Sequence, residues 1–312
     1  MLMAASPLQT KGSDRRLTRA EWLARKLERR EKQRAANPGR AAKMHAARIA
    51  QPPPSPVRSK KIPLINVGCS GWFYWHWRGA FYPQSMATKD WFNHYAGEFN
   101  TVELNAPFYA WPTVNTVRTW MAQAAKKPFI YTIKVCELIT HVKRFQRTQM
   151  LVKDFGFVAD LLGARMGCLL YQLPPSFHFT PARLKNILAQ LEPNRRNVVE
   201  FRHRSWWNFT VYSAFKKAGV IFCSCSAPNL PDELVALTDE VYIRFHGLTK
   251  MYRHDYTRAE LAEWVERINA SGCKCVWAYF NNDREGYAIK NAKEFRRQLN
   301  RIPMHVRQLS RT

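Results

Sequence analysis

From Ile62 onward the chain repeats one pattern eight times. Short apolar, β-branched runs recur at LINVGC (64–69), TVELNAPFY (101–109), FIYTIKV (129–135), CLLYQLP (168–174), NVVEFRH (197–203), VIFCSCS (220–226), VYIRFHG (241–247) and CVWAYFNN (275–282). Most are separated by helix-like segments such as KDWFNHYAGEF, MLVKDFGFVADLLG and RAELAEWVERINASG; the short acidic PDELVALTDE precedes the seventh run, and GYAIKNAKEFRRQL follows the eighth. Strand-like runs alternating with helices indicate parallel βαβ units. Eight such units in residues 62–312 match the usual size of a (β/α)8 barrel. The expected fold is therefore α/β, a (β/α)8 TIM-like barrel, with an open doubly wound sheet as the alternative.

The first 61 residues do not share this pattern. They hold 16 Lys+Arg and 4 Asp+Glu, a balance of +12, in a chain whose total is +26. Residues 18–37, TRAEWLARKLERREKQRAAN, are rich in helix formers, with Trp22, Leu23 and Leu27 as a narrow apolar stripe. QPPPSPVRSKK (51–61) is a proline-rich linker expected to be extended. We expect a basic, partly disordered N-terminal extension (1–61) whose helix forms fully on a partner, followed by the barrel (62–312). Clustered Lys and Arg gain affinity for polyanions by releasing counterions, which points to nucleic acid or a ribosome as partner through 1–61.

Several classes are excluded or disfavoured. No run of eighteen apolar residues is present, and the first thirty residues lack an apolar signal-like core, so a cytoplasmic protein without membrane attachment is expected. Neither G-x-x-x-x-G-K-[ST] nor G-x-G-x-x-G occurs, so no nucleotide cofactor is indicated, and G-x-S-x-G is also missing. The seven cysteines are odd in number, and Cys223/Cys225 and Cys273/Cys275 are spaced more tightly than most zinc ligands. They fit small core residues.

Barrel chemistry lies at the carboxyl ends of the strands, where alternate side chains face inward. Placing the apolar residues in the helix layer turns Glu103 and Asn105, Thr132 and Lys134, Gln172, Glu200 and Arg202, and Arg244 and His246 into the interior. The eighth run ends in Asn281, Asn282 and Asp283. Burying so many polar groups is expensive unless they pair or serve a ligand. Lys134, Arg202 and Arg244 favour an anion, which arginine can grip in a bidentate fashion. Glu103 and Glu200 are acid/base candidates or counter-charges, and His246 is a candidate proton carrier. His141, His203 and Asp283 are further ligand candidates; a divalent metal is compatible with them, although no metal-binding spacing appears. The loop Ser70-Gly71-Trp72-Phe73-Tyr74-Trp75-His76-Trp77-Arg78-Gly79 is unusually aromatic. It either plugs the mouth, or Trp72 and Tyr74 stack on a base or sugar with Trp206 and Trp207 as a second wall. Ser70 fits a turn residue.

These segments resemble the YecE-like family, catalogued as a domain of unknown function. The resemblance rests on Gly68-Cys69-Ser70-Gly71-Trp72 with Phe81-Tyr82-Pro83, Thr101-Val102-Glu103-Leu104-Asn105, Lys134 with Leu138-Ile139-Thr140-His141, and Tyr171-Gln172-Leu173-Pro174-Pro175-Ser176-Phe177. It continues through Val199-Glu200-Phe201-Arg202-His203, Arg244-Phe245-His246-Gly247 and Phe280-Asn281-Asn282-Asp283, and covers about 64–299. It implies a TIM-like barrel and a pocket but no reaction. Departures include Cys69 where Thr is usual, Ala106-Pro107 where Ser-Thr is common, and Arg204 where Pro is common. The resulting expectation is an enzyme, a hydrolase or lyase, acting on a phosphorylated or anionic substrate that includes nucleic acid. A non-catalytic RNA/DNA- or ribosome-associated protein and a metal-dependent sugar isomerase or epimerase are the alternatives.

Overall fold

The computed structural model describes residues 18–51, 62–124 and 127–301. Eight parallel strands form one sheet: β1 (Ile65–Cys69), β2 (Thr101–Leu104), β3 (Ile130–Lys134), β4 (Met166–Gln172), β5 (Asn197–Glu200), β6 (Ile221–Ser226), β7 (Glu240–Phe245) and β8 (Cys275–Phe280). Hydrogen-bonded neighbours follow the order β1-β8-β7-β6-β5-β4-β3-β2. The connecting helices are α2 (Trp91–Glu98), α3 (Ala106–Tyr109), α4 (Val114–Gln123), α5 (Gln149–Leu162), α6 (Pro181–Leu188), α7 (Phe209–Ala218), α8 (Arg258–Ser271) and α9 (Tyr287–Arg301). The eight anticipated strands are all present, in a (β/α)8 barrel. One local expectation fails. The second run stops at Leu104, because Asn105 adopts helical backbone angles and Ala106–Tyr109 becomes a helical turn. The 231–239 stretch between β6 and β7 is irregular.

Alternation along the strands separates two apolar layers. Val102, Ile133, Leu169, Tyr171, Val199, Ile243 and Phe280 pack outward against the helices. Cys168, Leu170, Val198, Ile221, Cys223, Tyr242, Trp277 and Tyr279 fill the barrel interior. All seven cysteines are buried free thiols, as expected of core residues. Cys223 and Cys225 share the interior, whereas Cys273 precedes β8 and belongs to the outer layer.

The barrel closes at a seam. Strands β1 and β2 lie side by side without a ladder of their own among the described residues. A tyrosine takes the ladder's place: the Cys69 amide donates to Tyr95 Oη (2.8 Å), which donates on to the Thr101 carbonyl (3.1 Å). Gly68 permits this approach, since a Cβ there would lie 2.2 Å from the Thr101 carbonyl oxygen.

Ahead of the barrel runs α1 (Arg19–Ala50), opened by a capping box of Thr18 and Glu21. Here the structure corrects the expectation of a helix conditional on a partner and ending near Asn37. The helix continues through Pro38 for three further turns and docks on the barrel. Proline forfeits one helical hydrogen bond and disfavours helical geometry just before it. Tertiary contacts override that cost. Asn37 is fully buried, donating to the Tyr109 carbonyl (3.2 Å) and accepting from the Trp111 amide (2.9 Å). Downstream, Ala41 and Met44 enter the core, and Arg48 and His45 meet buried Asp154, each at 2.9 Å. Upstream, Arg30 (2.9 Å) and Arg34 (3.1 Å) pair with buried Glu137. Of the anticipated linker (51–61), Gln51 caps this helix and residues 52–61 lie outside the described residues. No helix among the described residues is long and apolar enough to cross a membrane.

The Tyr95→Phe variant isolates the seam. It leaves a buried amide and a buried carbonyl without their partner, which costs about 1–3 kcal/mol. The expected result is a lower urea midpoint with an unchanged denaturant slope. An unchanged midpoint would show that closure does not depend on the phenol.

Candidate active site at the barrel mouth

The interior changes character at the carboxyl ends of β2, β5 and β7. Arg244, 1% exposed, donates from Nη1 to Glu200 Oε2 and from Nη2 to Glu103 Oε1, both at 2.5 Å. Both glutamates have no accessible surface. Their remaining lone pairs are also engaged. Glu103 accepts from Ser70 Oγ (2.8 Å) and Tyr242 Oη (2.6 Å), and Glu200 accepts from Arg202 Nε. Two carboxylates and two guanidiniums thus balance in a dry interior, the condition under which buried charges are tolerated.

This arrangement decides the chemistry of Glu200. Burial alone would raise its pKa, but Arg202 and Arg244 outweigh burial and hold the carboxyl well below its ordinary range. Of the two roles expected for Glu200, this arrangement matches that of counter-charge to the guanidiniums. The same arginines act on His246. Burial, reinforced by Arg202 and Arg244, depresses its pKa well below the usual value. Its Nε2 lies 2.9 Å from Arg202 Nη2 and its Nδ1 3.3 Å from Asn281 Nδ2. It stays neutral at physiological pH and orients these neighbours.

Above the ion network opens a cavity of about 480 Å³, within the range of small-molecule sites. Its walls are Tyr74, Asn105, Tyr109, Lys134, Gln172, Arg202, Arg244, Tyr252, Asn281, Asp283 and Arg284. Four cationic side chains face it, against one carboxyl group. That carboxyl, Asp283, accepts from Trp77 Nε1 (2.7 Å) and His76 Nε2 (2.9 Å); burial raises its pKa to about 6 against the opposing pull of those two donors. A smaller hollow of about 190 Å³, lined by Ile62, Met166, Arg195 and Arg196, opens beside the start of β4, away from the ends that carry barrel chemistry.

Of the anticipated site residues, Lys134, Arg202, Arg244, Gln172, Asn105, Asn281, Asp283 and Tyr74 come together on this wall. Glu103, Glu200 and His246 lie buried beneath it. Four other anticipated residues do not line this cavity. His203 stacks on His178 with ring centroids 3.8 Å apart and bonds Ser205. Asn282 is buried and donates to Asn291 and to the His254 carbonyl. Trp206 has no accessible surface and lies 3.8 Å from Phe201 in a parallel stack. Trp72 packs edge-on to Phe92. Of the expected aromatic walls, Trp72 and Trp206 are therefore absent from the cavity lining. Four residues were not anticipated: Tyr242, Tyr109, Tyr252 and Arg284. Tyr242 was legible, since it continues the inward alternation of Arg244 and His246. Tyr252 and Arg284 come from loops, where no periodicity marks them.

Among the described residues, His141, His203 and Asp283 do not converge. The donor atoms of Glu200, Cys225 and His246 do lie within 4.8 Å of one another. A cation there would share Glu200 with two guanidiniums, so this trio suits a metal poorly.

Residues 66–311 match the family described as Protein of unknown function DUF72. The chain belongs to that family. It is 26% identical over 270 residues to the UPF0759 protein YunF of Bacillus subtilis, spanning 74% of this chain and 93% of that protein. The crystal structure of a DUF72 family protein from Thermotoga maritima superposes with a TM-score of 0.69 at 26% identity, covering 76% of this chain and all of the other. A DUF72 protein of Enterococcus faecalis shares the fold with a TM-score of 0.63 at 19% identity, covering 76% and 95% of the two chains.

The ion network predicts how Arg244→Met behaves. The variant strands two buried carboxylates and loses about 3–5 kcal/mol at neutral pH. In the wild type, Glu200 has a lowered folded pKa, so its stabilisation is complete above the ordinary carboxylate pKa and lost as pH falls through the lower folded value. In the variant the penalty itself shrinks as the carboxyls protonate. Chemical denaturation across pH should show the two proteins converging toward acid. A gap independent of pH would contradict this account.

Proposed function

We propose that this DUF72 chain is an enzyme acting on a small phosphorylated or carboxylated molecule bound at the barrel mouth. One observation carries the reading: Lys134, Arg202, Arg244 and Arg284 line the cavity with a single carboxyl among them, while the compensating glutamates lie sealed beneath. Beyond Arg202 and Arg244, which the glutamates balance, an anion entering from solvent meets Lys134 and the exposed Arg284. The cavity's size favours a small molecule over a stacked base, and the loss of Trp72 and Trp206 from its wall points the same way. Arg284 is exposed at the rim and available to close on a ligand's charged end.

The test is binding of inorganic phosphate, sugar phosphates and small carboxylates to the full chain at low salt, by calorimetry. Arg284→Ala, an exposed substitution that spares the core, should weaken binding about tenfold or more, the size of one lost charge-assisted hydrogen bond. Absence of anion binding by the wild type would reject the proposal.

A second reading concerns α1. Arg25, Lys26, Arg29, Lys32 and Lys43 are exposed along it, which supports docking to RNA, DNA or a ribosome. Charge reversal at Arg25, Lys26 and Arg29 preserves the contacts of Asn37, Met44 and Asp154. It should lower affinity for nucleic acid and flatten the salt dependence; unchanged binding and slope would remove this reading.

A further inference from the structure

Among the buried cations at the mouth, Lys134 is the one without a carboxylate. Arg244 and Arg202 are locked onto Glu103 and Glu200. Among the described residues, Lys134 Nζ makes no hydrogen bond or ion pair; it rests 3.9 Å from the centroid of the Phe108 ring. The residue ends β3, is 8% exposed, and faces the cavity. An anion-gripping lysine is normally hydrated and fully charged. Lys134 is largely buried, has no carboxylate partner, and shares the interior with two guanidiniums. Burial first, then Arg244 and Arg202, disfavour its ammonium form, and Glu200 and Glu103 offset this only in part, bringing its pKa to about 7. Nearby His141 on the same side is also driven down, to about 4, by burial and then by Lys134. A large fraction of Lys134 is thus a free amine at neutral pH, in a site whose other cations cannot lose their protons.

A neutral, desolvated primary amine beside fixed cations is the form of lysine that attacks carbonyl carbon. We propose that Lys134 is the catalytic nucleophile of this site and forms a Schiff base with an aldehyde or ketone that carries a phosphate or carboxylate. The proposal rests on the anion-binding reading above, which supplies the grip on the charged end. The Nζ lone pair adds to the carbonyl carbon while the π pair moves to oxygen; one proton passes from nitrogen to that oxygen, giving a carbinolamine. The nitrogen lone pair then expels the hydroxyl, which leaves as water on taking a second proton, and a protonated C=N bond remains. Asp283 is the one carboxyl lining the cavity, and with its pKa near 6 a fraction of it holds that second proton at neutral pH. Asn105 Oδ1, buried without a partner, is an acceptor for a hydroxyl of the adduct.

The full chain is incubated with dihydroxyacetone phosphate, glyceraldehyde 3-phosphate or pyruvate, reduced with cyanoborohydride, and mapped by peptide mass spectrometry. Hydride adds to the imine carbon and fixes a secondary amine. The expected result is an adduct at Lys134 well above that at any other lysine. Its yield should rise as pH passes through about 7, and inorganic phosphate should suppress it. Lys134→Arg and Lys134→Met, each checked for folding by circular dichroism, should lose the adduct at that position. The wild-type map alone is decisive even if both variants misfold. Phosphate binding with no selective adduct at Lys134 from any probe would overturn the Schiff base and leave the anion site standing. Loss of phosphate binding as well would remove both.

Discussion

Arg244 is the residue around which the upper barrel is built. A guanidinium with almost no contact with water is affordable only because both of its ends meet carboxylates, and those carboxylates come from strands on opposite sides of the barrel. The same side chain therefore ties β7 to β2 and to β5. Below it Cys168, Leu170, Val198 and Trp277 fill the interior, with the hydroxyls of Thr101, Thr132 and Tyr279 hydrogen-bonded to one another. Above it the ligand cavity begins. The boundary between packing and chemistry in this barrel is one layer of ions.

That layer also explains why residue type alone was a poor guide to role. Glu200 and His246 have the side chains most often used for proton transfer, yet their partners fix each in a single protonation state. Lys134 has the side chain most often used as a fixed charge, yet it lacks the partner that would keep it charged. Roles in this site follow from who is paired with whom, and pairing is a property of three-dimensional closure.

The strands, and the inward set Glu103, Lys134, Gln172, Glu200, Arg202, Arg244 and His246, were legible because a period of two holds wherever a strand is regular. Beyond the strand ends that rule lapses. His203, Trp206 and Asn282 follow a strand by a few residues, and each turns into the shell of the barrel instead of its mouth. Tyr109 entered the site because Ala106–Tyr109 coils, although the segment has the composition of a strand. The length of α1 was hidden by Pro38, a local breaker overruled by contacts to residues about seventy and one hundred positions away.

The docking of α1 gives the molecule a lever. Its 32 residues form a rod about 48 Å long at the usual helical rise. Its outer turns carry the exposed Arg25, Lys26 and Arg29. Further along, Arg30 stacks 4.0 Å from the Tyr109 ring and Asn37 holds the Tyr109 backbone, while Tyr109 itself lines the cavity. The rod and a wall of the pocket thus share Tyr109. By thermodynamic reciprocity, a ligand that shifts Tyr109 must in turn bias how the rod is seated. Among the contacts that seat the extension on the barrel, those to Tyr109 reach the pocket itself.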